Sequence, residues 1–210
     1  MSKELDRASL VKEICKAARL YKEHLVGNRF LYAFDGRYIE VLYKVANFKH
    51  LTGVETNLSA KKFYEYAVKN QLQASQIHFS AQHPYMLCTR KIKHICQVAT
   101  LASSECFMLE EIKTNTQTYK FGTTDLNFSL CMNKEFDRYG YAKDDCYIVQ
   151  SLRDEDCFSK SKSAYVVTHI LSRKNDAKAY TELRYMNQSS TLEDLSAQIL
   201  AMVDLNLLSL

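Results

Sequence analysis

His50 and Thr52 stand two residues apart in the run Asn47-Phe48-Lys49-His50-Leu51-Thr52-Gly53, with Lys44 just upstream. An imidazole titrates near neutrality and can take and return a proton in the working range. A threonine hydroxyl can donate a hydrogen bond to a phosphate oxygen, and lysines supply positive charge. Placed where a strand gives way to a loop, these residues suit chemistry on a phosphodiester. They equally suit an ordinary turn in which His50 satisfies a carbonyl. A second group, Arg90, Lys91, Lys93 and His94, is the densest cationic patch in the sequence and a candidate contact to a phosphate backbone.

The elements around these residues follow from hydrophobic spacing. Apolar residues recur at three- and four-residue steps from Lys3 to Leu25, which predicts an amphipathic helix packed on the core and ended at Gly27-Asn28. Phe30 to Phe34 and Tyr38 to Tyr43 flank Asp35-Gly36 and predict a hairpin, since Asp-Gly accepts the positive φ angles of a tight turn. Phe48 and Leu51 should pin the His50 turn to the core, with Gly53 bending the backbone. Ser59 reads as the N-cap of a helix to about Gln71, and Pro84 as the first turn of another. In that last helix Cys88, Ile92, Ile95, Cys96 and Ala99 form the expected buried stripe, with the basic residues on the opposite face.

Beyond Ser103 the pattern changes to short strands: Cys106 to Ile112, Thr118 to Thr123, Leu126 to Met132, Cys146 to Leu152, Ala164 to Leu171 and Tyr180 to Tyr185. His169 falls inside one of these as a sheet residue. Ser190 to Glu193 offers a cap and acidic first turn for a C-terminal helix through Leu207. The expected fold is α+β: N-terminal helices packed on a mostly antiparallel sheet, with a C-terminal helix. No linker divides the chain, so residues 1–210 read as a single domain.

Charge is uneven. Residues up to Thr100 carry a net +8 and the remainder a net −4, which together give the overall +4. A basic half suits a polyanionic partner, because neutralised phosphates release counterions; a solvated lysine-rich face would show the same composition. The seven cysteines have no C-x-x-C pair, which argues against a disulfide framework or zinc site and for a cytoplasmic setting. The charged N-terminus lacks a signal's apolar core, and no apolar run approaches a membrane span. Phosphate-binding glycine loops, the nucleophile-elbow serine motif and H-E-x-x-H are all absent. No cofactor or metal is expected.

The run NFKHLTGVETNLSAKKFYEYAVKNQL resembles phage- and mobile-element-associated members of the Barnase, EndoU, colicin and RelE-like nucleases. The resemblance rests on an F-x-H-L-x-G turn (Phe48, His50, Leu51, Gly53) after a strand ending in lysine, and extends more weakly through the basic helix and YIVQSL around Ser151. It implies a helix-plus-antiparallel-sheet fold and a toxin-like, metal-independent endoribonuclease in which a ribose 2′-hydroxyl attacks the adjacent phosphate. His50 would then be the acid or base. Thr52 and Ser151 would donate hydrogen bonds to phosphate, and Lys44, Arg90, Lys91 and Lys93 would supply charge. RNA is the implied partner, and an antitoxin or immunity protein fits the same setting. Two other classes stay open: a non-catalytic module binding nucleic acid or protein, and a transferase toxin using a nucleotide such as NAD.

Overall fold

The computed structural model describes residues 2–207, with side chains from residue 6 onward. Helix α1 (Ser2–His24) leads into strands β1 (Asn28–Phe34) and β2 (Arg37–Leu42), joined through Asp35 (φ 50°) and Gly36 (φ 67°) as the hairpin pattern requires. A short 3-10 turn (Val45–Asn47) then runs into α2 (Phe48–Thr52), followed by α3 (Ala60–Val68) and α4 (Tyr85–Leu101). Ser59 caps α3 by accepting from the Lys62 amide at 3.3 Å. The later strands are β3 (Phe107–Lys113), β4 (Thr118–Thr124), β5 (Ser129–Phe136), β6 (Ala142–Arg153), β7 (Ser163–Lys174) and β8 (Glu182–Met186).

The sheet corrects the expected simple layer of strands. β1 pairs with β2 on one edge and with β7 on the other, so seven strands close into a barrel in the order β1-β2-β6-β5-β4-β3-β7, with β8 added alongside β7. Among these eight strands every pairing is antiparallel except β2 with β6, which touch in parallel at Val41–Tyr147 and Leu42–Ile148. Closure needs strong curvature, and register shifts supply it in β1–β7, twice in β5–β6 and in β7–β8. Local spacing predicts strands but contains no statement about which edges will meet.

Alternation along β1 divides the apolar residues between two clusters. Phe30, Tyr32 and Phe34 join the main core with α1, α3 and α4, while Leu31 and Ala33 pack under the C-terminal segment. That segment is a second correction. In place of a long helix there is a 3-10 turn (Leu192–Asp194) and a single-turn helix, α5 (Ala197–Leu200), after which Val203 bridges to Tyr180. Leu195, Ile199, Val203 and Leu207 are still buried. His169 is 1% exposed and its Nε2 lies 2.9 Å from the Thr191 carbonyl, a structural tie of β7 to this segment.

Candidate active site

Aromatic packing and one side-chain hydrogen bond hold α2 in place. Phe48 is fully buried, with its ring 5.3 Å from Tyr21 and 5.2 Å from Tyr64 in edge-to-face contacts. Burial of one such ring contributes about 1.5–3 kcal/mol. The Asn47 side-chain amide donates to the Val149 carbonyl at 2.8 Å and ties the start of α2 to β6. Gly53 then ends α2 with φ +74°, a left-handed value that favours glycine. A β-carbon at Gly53 would also meet Lys91 Cδ at 3.2 Å, so this glycine lets α4 come close.

Beside α2, β6 carries a bulge. Met132 pairs with Val149 and Cys131 with Ser151, leaving Gln150 as the extra residue. Val149 and Leu152 consequently both join the core, although three residues apart, while Ser151 and Arg153 are turned away from it. Bulges that re-aim side chains are common beside active sites.

These elements enclose a cleft of about 780 Å³ lined by Lys49 and His50 of α2, His83, Lys91 of α4, Tyr119 of β4, and Gln150, Ser151 and Arg153 of β6, among others. His50 sits at the open rim. Burial on its protein side lowers its pKa from the usual 6.5, and Lys49 lowers it further, so the neutral imidazole is favoured near neutral pH. His83 Nδ1 lies 4.0 Å from the Glu55 carboxylate, which is also on the cleft wall.

Lys91 is the most unusual group. It is 7% exposed and has neither a hydrogen bond nor an ion pair among the described residues. Burial lowers its pKa, and the nearby Arg153 guanidinium lowers it again, against weaker opposing effects that include Asp154. Arg153 stands over the Tyr119 ring at 5.8 Å and reaches Thr114 Oγ1 at 3.4 Å, but its buried Nε has no hydrogen-bond partner among the described residues. A lysine and an arginine near one another, neither of them in an ion pair among the described residues, form a site that an anion would stabilise.

Of the seven residues singled out from sequence, the structure brings His50, Lys91 and Ser151 to this cleft. Lys91 is not on the exposed face of α4 as expected. It lies three residues after Cys88 and four before Ile95, which places it on the buried stripe. Thr52 is fully buried, with its hydroxyl donating to the Lys49 carbonyl at 2.7 Å and accepting from the Val54 amide at 3.2 Å. Its hydrogen-bonding capacity is spent on the end of α2. Lys44 pairs with Glu135 at 2.8 Å, and Arg90 pairs with Asp154, whose other oxygen is 2.8 Å from His94 Nε2. Lys93 is exposed and lies off the cleft lining.

His83, Tyr119 and Arg153 line the cleft without having been singled out. Arg153 had a usable signal, since it follows Ser151 by two residues and shares its side of a strand extended by one position. His83 had none in its immediate neighbourhood. Among the described residues no group of three His, Cys, Asp or Glu side chains is placed to hold a metal ion, and no helix is long and apolar enough to cross a membrane.

Comparison with curated proteins and with solved structures gives no match. The family model described as phage-Barnase-EndoU-ColicinE5/D-RelE like nuclease4 matches residues 13–189, a span that takes in all eight strands and the cleft, and the chain belongs to that nuclease family.

Proposed function

We propose that the chain is a toxin-like, metal-independent endoribonuclease that cleaves RNA by attack of a 2′-hydroxyl on the adjacent phosphate, within the cleft between α2, α4 and β6. The observation that carries this reading is the buried Lys91, without an ion pair among the described residues, near Arg153 and in the same cleft as a histidine biased towards its neutral form. His50 takes the proton of the 2′-hydroxyl as its oxygen bonds to phosphorus. Lys91 and Arg153 hold the oxygens on which charge builds, and Ser151 donates a hydrogen bond to the same phosphate. His83 gives a proton to the departing 5′-oxygen as the P–O5′ bond breaks, leaving a 2′,3′-cyclic phosphate and a 5′-hydroxyl. The seven free thiols support a cytoplasmic setting, and an antitoxin or immunity protein would be the natural restraint on such an activity.

The test is end-labelled RNA incubated in chelator with wild type, His50→Ala and Lys91→Met. Cleavage by wild type and loss of at least a hundredfold in each variant is expected. Equal cleavage by wild type and His50→Ala would remove His50 from the chemistry. Binding without cleavage of any RNA would instead favour a non-catalytic module, and NAD-dependent labelling of a target would favour a transferase.

A further inference from the structure

Gln150 lines the catalytic cleft and also a second depression of about 530 Å³, bounded by Lys120, Asn133, Lys134, Phe136 and Tyr147 on the β4-β5-β6 surface. The two concavities therefore adjoin at the bulge. We propose that this second depression continues the cleft as a track for single-stranded RNA, so that the substrate is an unpaired strand several nucleotides long. The proposal rests on the nuclease reading above for the location of the scissile phosphate.

The lining has the chemistry such a strand needs. It holds two lysines, two side-chain amides and two aromatic rings, with no carboxylate among them. Unpaired bases stack on aromatic faces, while lysines follow the phosphates and amides reach base edges. Phe136 is 58% exposed at the end of β5, an apolar ring open to solvent. Tyr147 forms the floor, edge-on to Phe121 at 4.9 Å, with Lys134 Nζ 5.7 Å from its centroid. Lys134 is paired at 3.1 Å with Asp145, whose side chain is 94% exposed, and Lys120 with Glu110 and Glu111 at 3.2 and 3.3 Å. The pairs with Asp145 and Glu111 have exposed carboxylates, which a phosphate can displace at little cost, while Glu110 is 15% exposed and keeps its bond to Arg37. The lining runs from Gln150 past Tyr147 to Phe136, which pairs with Ala142, and Gln150 to Ala142 is about 26 Å of extended strand, longer than a single nucleotide requires. A duplex would present no base faces to Phe136.

The experiment measures fluorescence anisotropy of labelled oligoribonucleotides two, four and eight residues long, single-stranded or duplex, with full-length His50→Ala so that no strand is cut. Affinity should rise with length and favour the single strand. Adding Phe136→Ala should weaken octamer binding about tenfold and leave the dimer unchanged, with Lys134→Gln acting in the same direction. Met86→Ala, at an exposed residue of α4 away from the track, should change nothing. Equal affinity for dimer and octamer, equal affinity for duplex, or no effect of Phe136→Ala on folded protein would overturn the track. The two proposals fail separately. Wild type that binds by length but cuts nothing would support the track against the nuclease. Wild type that cuts dimer and octamer with equal kcat/KM would do the reverse.

Discussion

Replacing Lys91 with methionine should stabilise the protein and disable the site together. Lys91 is 7% exposed, has no hydrogen bond or ion pair among the described residues, and sits near the Arg153 guanidinium, so the folded state carries a desolvated charge beside a like charge. Methionine keeps the unbranched stem that packs beside Gly53 and Cys88 while removing the ammonium. The expected gain in unfolding free energy is about 1 kcal/mol. The gain depends on pH. Because the folded pKa of Lys91 lies below 10.5, the unfolded chain binds more protons between the two values. Wild-type stability therefore rises with pH in that window, and the advantage of Lys91→Met shrinks towards pH 10.5. Loss of a cation that stabilises phosphate charge should meanwhile lower kcat by about 10²–10³-fold. Urea unfolding across pH, paired with single-turnover cleavage, reads both quantities. A variant that is less stable yet fully active would show that Lys91 is a structural lysine and refute the phosphate assignment.

Three further outcomes follow from the same geometry. The acid limb of kcat/KM should fall below pH 6.5, because His50 must be neutral as a base and its pKa is depressed; a limb above 6.5, or an NMR titration of His50 above that value, would contradict its role. The same shift destabilises the fold only as pH drops through 6.5, so stability near pH 8 should not depend on it. Thr52→Val should cost about 1–3 kcal/mol by leaving the buried Val54 amide unpaired, while activity per folded molecule stays within a few fold. Gly53→Ala should cost about 1–2 kcal/mol for the left-handed φ and also lower kcat by pressing on Lys91, whereas Gly36→Ala, with open space around its β-carbon, should affect stability alone.

Periodicity made the local elements readable, and their limits show where it stops. The Asp35-Gly36 hairpin, the Ser59 cap and the pinning of the His50 turn by Phe48 and Leu51 all depend on neighbours within a few residues, and each is present. Barrel closure depends on β1 meeting β7 across most of the chain, which no window contains. The site divides the same way. His50 was visible because its motif is contiguous. Lys91 is legible as a basic residue but reads as solvent-facing, because a lysine is normally taken as solvated even where its spacing from Cys88 and Ile95 puts it on the buried stripe and Gly53 comes close to its stem. Thr52 looked like a phosphate donor because its type allows it, yet the end of a five-residue helix already uses both sides of its hydroxyl. Ser151 and Arg153 share a side by alternation, but that this side meets the cleft depends on a bulge at Gln150, which alternation alone cannot foresee.

The central claim is that the attacking group is a ribose 2′-hydroxyl, activated by His50. Cleavage of a single-stranded oligoribonucleotide in chelator, with products analysed by mass, tests it against the same strand carrying one 2′-deoxy residue at the cut position. The account predicts a 2′,3′-cyclic phosphate from the first substrate and an intact strand from the second. Cleavage at the 2′-deoxy position, or a product lacking the cyclic phosphate at any time point, would contradict it.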